Sequence, residues 1–327
     1  MLIRSVSGVR GLTAGDVTPD VVRRYGGVFA AQTPGDIAVG WDSRPGGEIL
    51  KDAVAAGIIE AGGRVVDVGT VPTPTVGVVV RRHGLAGGVV ITASHNPEEY
   101  NGLKFFSRRG VFLYGEEVTR LFDGVDAAAE AAVRAPRGVA GRGGAAESGG
   151  DLGFGVSGVL EMDDAVAEHV ALVLASPFVN APAVSAARPR IAVDCVNAAG
   201  SLILPRLLRE LGCEVVELYT DTGSGFPRGA EPIAEHLEAL CRTVVAEDAV
   251  AGFACDPDAD RLAVVDERGV PIGEEFTLAI AARVVLDARR GPIVANVSTS
   301  RMMDDLAKEF EVPMYRTPIG EINVVAK

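Results

Sequence analysis

One pattern recurs three times along the chain and limits what it can fold into: a short apolar strand, a polar loop, a helix and a second strand. In the first copy Ile37 to Gly40 is the strand and Trp41 to Gly47 the loop; a helix then runs to Ala61, Gly62 and Gly63 break it, and Arg64 to Val68 form the second strand. The second copy has Ile191 to Asp194, a loop from Cys195 to Ser201, a helix to Leu211, and Glu214 to Leu218. The third starts at Ile293, with a loop from Asn296 to Ser300, a helix to Phe310, and Val312 to Tyr315 as its strand. Strands joined through a helix run parallel, so each copy predicts a βαβ unit with a right-handed crossover in an α/β protein. The copies start about 100 to 150 residues apart, too far for a solenoid and right for successive domains.

Between the first two copies lies Arg134 to Gly158, rich in Gly, Ala and Arg and without periodicity. It reads as a linker or mobile surface loop. The expected domains are therefore 1–150, 151–262 and 263–327. Helical spacing over Asp163 to Leu174 opens the second, Asp266 to Gly269 reads as a turn between two short strands, and Glu275 to Leu286 as a helix beginning the third.

The net charge of −13 leaves no basic surplus to neutralise a nucleic acid backbone, so no nucleic-acid partner is expected. A phosphorylated ligand would need a local cluster of arginine and lysine against that overall field. No apolar run approaches about 18 residues and the N-terminus has no sustained apolar stretch, so no membrane partner is expected and the cytoplasm is the expected compartment. Cys195, Cys213, Cys241 and Cys255 show neither C-x-x-C spacing nor a histidine at zinc-site spacing, and read as reduced, partly buried thiols.

Two stretches carry chemistry. In the first, the apolar run Val89 to Ile91 is preceded by glycines and followed by Thr92-Ala93-Ser94-His95-Asn96-Pro97, the mark of a buried strand that ends in a rigid turn. Pro97 pushes Asn96 out of helical geometry, so the Ser94 hydroxyl can project beyond the strand end, with His95, Asn96 and, after a short return, Lys104 close in sequence. A plain hydrophilic surface turn would look similar, and no Gly-x-Ser-x-Gly elbow surrounds Ser94.

In the second, Asp256, Asp258 and Asp260 alternate along Cys255-Asp256-Pro257-Asp258-Ala259-Asp260-Arg261, with Pro257 stiffening the backbone. Three carboxylates so placed repel one another unless they share a cation, and an all-oxygen set favours Mg²⁺ over Zn²⁺. The competing readings are an acidic surface turn and an EF-hand loop. The acids fill the first, third and fifth EF-hand positions and Glu267 the twelfth, but the sixth is Arg261 in place of glycine, and both flanks read as strands.

Together, Thr92 to Pro97 and Asp256 to Arg261 resemble the paired motifs of the α-D-phosphohexomutases, the family of phosphoglucomutases, phosphomannomutases and phosphoglucosamine mutases. Ser7-Gly8-Val9-Arg10-Gly11 and Gly40-Trp41-Asp42-Ser43-Arg44 add two further matches, in the family's order and over most of the chain. Met1 to Gly11, Gly273 to Phe276 and Thr317 to Val325 are most similar to the phosphoglucosamine mutase branch. The resemblance implies related α/β domains with mixed, mainly parallel sheets. It also implies a phosphoserine at Ser94 and Mg²⁺ bound by that phosphate with Asp256, Asp258 and Asp260. Charge stabilisation and proton transfer are implied for Arg10, His95, Lys104 and Arg261. The implied reaction moves a phosphoryl group between the 6- and 1-hydroxyls of a hexose phosphate through a hexose bisphosphate. Arg44 stays open between a surface salt bridge and support of the Ser94 loop.

The sequence departs from the family at its end. Lys327 falls inside the third domain, before the family's glutamate-containing sugar loop and its fourth domain, which leaves Thr317, Gly320 and Glu321 as the candidate substrate contacts. A C-terminally truncated chain is expected, with apolar surface and an unpaired edge left around the third copy. The expected reaction interconverts glucosamine 6-phosphate and glucosamine 1-phosphate. The alternatives are a phosphomannomutase or phosphoglucomutase, and a non-catalytic remnant that binds without turnover.

Overall fold

The computed structural model describes residues 2–5, 8–134 and 158–327, so Ser7 and most of the glycine-rich stretch from Arg134 to Gly158 lie outside the described residues. It divides into two compact units, Met1–Ala165 and Val166–Lys327.

In the first unit the chain runs β1 (Ile3–Ser5), β2 (Gly8–Leu12), α1 (Pro19–Gln32), β3 (Asp36–Trp41), α2 (Gly47–Glu60), β4 (Arg64–Thr70), α3 (Thr73–His83), β5 (Gly87–Ile91), β6 (Tyr100–Ser107), α4 (Glu116–Arg134) and β7 (Val159–Glu161). The strands form one sheet in the order β1-β2-β6-β5-β3-β4-β7. β3 is parallel to β4 and to β5, whereas β6 returns antiparallel between β5 and β2. β7 pairs parallel with β4 and completes that sheet.

Local sequence accounts for the supporting helices. Thr18 caps α1, its side chain accepting from the Val21 N–H, and Pro19 opens the helix where its missing N–H costs nothing. Val22, Tyr25, Gly26, Phe29 and Ala30 then recur every three or four residues and form the buried face. α2 lies so close to α1 that a Cβ on Gly57 would stand 2.0 Å from the Arg23 carbonyl oxygen, so only glycine fits there. β5 is buried at all five positions, as expected of a strand inside a covered sheet.

The chain passes from β3 to β4 on one side and then crosses to β5 on the other side of β3. Such a reversal opens a crevice at the carboxyl ends of β3 and β5, where open α/β sheets bind ligands.

The second unit continues α5 (Ala165–Leu174), α6 (Ala181–Ala187), β8 (Arg190–Asp194), α7 (Gly200–Glu210), β9 (Glu214–Leu218), a 3₁₀ turn (Ala234–His236), α8 (Glu238–Ala246), β10 (Ala251–Cys255) and β11 (Leu262–Asp266). Its sheet order is β11-β10-β8-β9, with β8 parallel to β9 and β10 and with β11 antiparallel. The reversal of the first sheet is repeated, here between β8 and β10. α9 (Glu274–Ala288), β12 (Ile293–Asn296), α10 (Met302–Glu309), β13 (Met314–Thr317) and α11 (Glu321–Val325) follow, with β12 and β13 pairing parallel as a two-stranded sheet.

All three βαβ copies form. One strand is displaced, β13 running Met314–Thr317 where Val312 to Tyr315 was expected. The end of α10 consumes the difference: Glu311 takes a left-handed φ of 56° and the Val312 N–H bonds to the Ala307 carbonyl. The third copy packs Leu286, Ile293, Met303, Leu306 and Phe310 into its own core, while Phe276, Leu278, Ile280 and Val284 of α9 stay exposed, matching the expected uncovered apolar surface. Among the described residues no helix is long and apolar enough to cross a membrane.

Candidate active site

Ser94 sits three residues beyond the end of β5, at the reversal in the first sheet. Its φ of 50° is left-handed, a conformation that costs a non-glycine residue energy and persists only when neighbours hold it. The neighbours are the buried Asp42, just past the end of β3, and Thr92, just past β5. Thr92 Oγ1 donates to Asp42 Oδ2 at 2.6 Å and accepts from the Ser94 N–H at 2.8 Å.

Arg44 settles the other side of the loop. It is fully buried, which excludes a surface salt bridge, and its Nε lies 3.5 Å from Asp42 Oδ2. The guanidinium donates to the carbonyls of Ser94 at 2.5 Å, Asn96 at 2.8 Å and Pro97 at 2.6 Å. The Asn96 side-chain amide bonds back to the Ala93 carbonyl at 2.8 Å and closes the turn. Arg44 therefore supports the Ser94 loop.

Arg10, Ser94 and Lys104 are brought together around a cavity of about 70 Å³, lined also by Ser5, Gly8, Thr92 and Leu103. Sheet register does this. Arg10 on β2 faces Gly102 on β6, and Lys104 on β6 faces Val90 on β5, so Lys104 lies on the strand beside the one that leads to the serine and Arg10 one strand further out. Gly102 is required at that crossing, because a Cβ there would stand 2.2 Å from the Val9 carbonyl oxygen. The Lys104 ammonium lies 5.6 Å from the centre of the Phe112 ring. His95 Nδ1 lies 3.4 Å from Ser94 Oγ.

In the second unit the acids occupy the turn between β10 and β11, at the corresponding reversal. One oxygen from each of Asp256, Asp258 and Asp260 lies within 4.8 Å of the others; the first two are buried and the third exposed. The turn is shaped from inside: Asp256 Oδ1 accepts from the Arg261 N–H at 3.0 Å, the Ala259 N–H bonds to the Asp256 carbonyl at 3.0 Å, and Ala259 has φ of 51°. Burial, and after it the neighbouring Asp258 and Asp260 carboxylates, push the Asp256 carboxyl well above the usual carboxylate range. A site of hard oxygen donors at ligand spacing, two of them out of water, fits a hard divalent cation. The strands on both sides of the loop exclude the EF-hand reading.

The Arg261 side chain turns to Glu231, donating at 2.7 Å. Thr317 is buried at the end of β13, its hydroxyl 3.1 Å from the Pro318 carbonyl; Gly320, with φ of 121°, precedes α11, and the exposed Glu321 is that helix's first residue. Asp42 and Thr92 were not read from the sequence as site residues. The signal was available for Asp42, a carboxylate directly after the apolar strand ending at Trp41.

One doubly wound α/β unit presents a serine at its strand reversal and the next presents three acids at the same point of its own sheet, in each case the place where open α/β sheets bind ligands. Comparison with known proteins makes this specific. Residues 1–132 match the family model for phosphoglucomutase/phosphomannomutase alpha/beta/alpha domain I, residues 167–269 that for domain II, and residues 273–327 that for domain III. The chain belongs to the phosphoglucomutase/phosphomannomutase family. It is 35% identical to a probable phosphoglucosamine mutase of Methanopyrus kandleri, over 98% of this chain and 66% of that protein. It is also 35% identical to a phosphoglucomutase/phosphomannomutase of Thermococcus kodakarensis, over 97% of this chain and 67% of that protein. Among solved structures, a phosphoglucomutase/phosphomannomutase family protein of Burkholderia thailandensis superposes with a TM-score of 0.80 at 28% identity, covering 100% of this chain and 69% of that one. The chain thus spans about two thirds of the length of the curated relatives it matches.

Proposed function

We propose that the chain carries the phosphoserine and metal-binding domains of a hexose-phosphate mutase that interconverts glucosamine 6-phosphate and glucosamine 1-phosphate. The observation that carries this reading is the cavity where Ser94 meets Arg10 and Lys104, two cations beside a strained, over-determined serine in a chain of net charge −13. Mg²⁺ held by Asp256, Asp258 and Asp260 would supply charge neutralisation to the phosphoryl group.

The chain's own residues do the rest. Arg44, Asp42 and Thr92 hold the Ser94 backbone, so its side-chain oxygen starts each transfer from one position. Arg10 and Lys104 offset negative charge on the phosphoryl oxygens, and Arg261 adds a cation from the acid loop. The bond from Ser94 Oγ to phosphorus breaks as the sugar hydroxyl oxygen bonds to phosphorus; His95, its Nδ1 3.4 Å from Ser94 Oγ, takes the hydroxyl proton and hands it to the departing Ser94 oxygen. In the return step Ser94 Oγ bonds to the other phosphoryl group of the hexose bisphosphate, its proton passes to His95, and the sugar oxygen that leaves takes that proton. Thr317, Gly320 and Glu321 contact the sugar. The phosphoglucosamine assignment follows the name of the Methanopyrus relative.

Intact-mass measurement after incubation with glucose 1,6-bisphosphate and Mg²⁺ tests the reading. The expected result is one added phosphoryl group, absent in Ser94→Ala. An unmodified wild-type chain overturns it. A panel of glucosamine, glucose and mannose phosphates, followed by phosphorus NMR, separates the sister activities.

A further inference from the structure

The acid loop is gripped by residues that lie well before it in sequence. Arg228 and Asp194 form an ion pair at 2.8 Å with side chains only 4% and 0% exposed. Beyond that pair, Arg228 Nη2 donates to the carbonyl of Cys255 at 2.6 Å. Cys255 ends β10 and the next residue is Asp256. One guanidinium therefore ties the carboxyl ends of β8 and β10 across the strand reversal. Three residues further on, Glu231 accepts from Arg261 at the far end of the loop. The middle is held by the Ala199 N–H, which bonds to the Pro257 carbonyl at 3.1 Å.

The first unit uses the same device. Asp42 Oδ1 accepts the N–H of Arg44 two residues on, and Asp194 Oδ1 accepts the N–H of Val196 two residues on, each at 3.0 Å. Where Arg44 collects the carbonyls of the loop after β5, Arg228 collects the carbonyl that opens the loop after β10. The buried guanidinium has five N–H donors to satisfy, and besides Asp194 it bonds to the carbonyls of Gly229 at 3.3 Å and Cys255 at 2.6 Å. The bond to Cys255 orients the peptide from which Asp256 projects, among carboxylates whose mutual repulsion opposes their present spacing.

We propose that Arg228 is a positioning residue for the cation site, holding Asp256 at ligand spacing whether or not the ion is bound. The proposal rests on the reading of Asp256, Asp258 and Asp260 as cation ligands. The test is titration of the whole chain with Mn²⁺, with free ion counted by electron paramagnetic resonance and thermal melts run alongside. Asp258→Asn checks the underlying reading: if it binds Mn²⁺ as wild type does, that reading falls. Arg228→Met is expected to weaken Mn²⁺ binding by roughly 10- to 100-fold, the usual cost of losing an outer-shell partner. Because that change leaves Asp194 buried and unpaired, the double variant Asp194→Asn with Arg228→Met separates stability from positioning. It is expected to melt close to wild type and still bind Mn²⁺ weakly. Wild-type affinity in a folded double variant would make Arg228 no more than the partner of Asp194 and would overturn the proposal. If neither methionine variant folds, Arg228→Lys decides, since it can keep the pair with Asp194 but not the reach to Cys255; affinity within about twofold of wild type then overturns the proposal.

Discussion

Arg44 has no exposed surface, and its guanidinium reaches three main-chain carbonyls of the Ser94 loop together with the Asp42 carboxylate. Arg44→Met would strand Asp42 as a buried charge, and removal of one partner from such a pair costs about 3–5 kcal/mol. Urea unfolding should show that loss, whereas an exposed pair such as Arg23 with Glu60 should cost under about 1 kcal/mol when truncated. At this scale the sequence was legible where chemistry demands a residue type at a fixed spacing. Three alternating aspartates, and a serine at the end of an apolar strand, could be named without coordinates. Partnerships formed across the fold were harder to read. Support of the Ser94 loop was one of two readings left open for Arg44, whose acceptors lie 50 to 53 residues away, and nothing around Arg228 points to Cys255.

The three copies agree down to single hydrogen bonds. Asp42, Asp194 and Asn296 each stand at or just past the end of a first strand, and each accepts, through Oδ1, the N–H of the residue two places on. An arginine attends every copy; in the third, Arg316 on β13 donates to the carbonyls of Asn296 and Thr299 at 2.7 and 2.8 Å. The apolar first strands made the copies readable. α3 was not read, because Pro72 and Pro74 look like breakers although proline is well tolerated in a first helical turn. Gly57→Ala would drive a methyl group into the α1 backbone and should cost about 1–3 kcal/mol in chemical denaturation. His169 on the half-buried face of α5 is held below the usual histidine range by burial. Its folded form resists protonation, so its contribution to stability is complete above about pH 6.5 and is lost as pH falls through the depressed value. His169→Gln should flatten that acid limb in a series of thermal melts at falling pH.

The acid loop sits above buried clusters built from elements of the second unit. A cation bound by the acids should stabilise that unit, by roughly 2.7 kcal/mol for Mg²⁺ at about 100 times its dissociation constant. Hydrogen exchange should slow in β8 and β10, and a Mg²⁺ effect that survives Asp258→Asn would contradict this. The repeat spacing foretold α/β units in succession, and the exposed apolar face of α9 follows from a third copy with only two strands. In both larger sheets the third parallel strand delivers its loop to the same mouth and an antiparallel strand carries the chain away, once with an alcohol and once with acids. A scaffold with one such outlet can acquire a new chemistry by changing only the few residues that emerge there, and the strands beneath need never move.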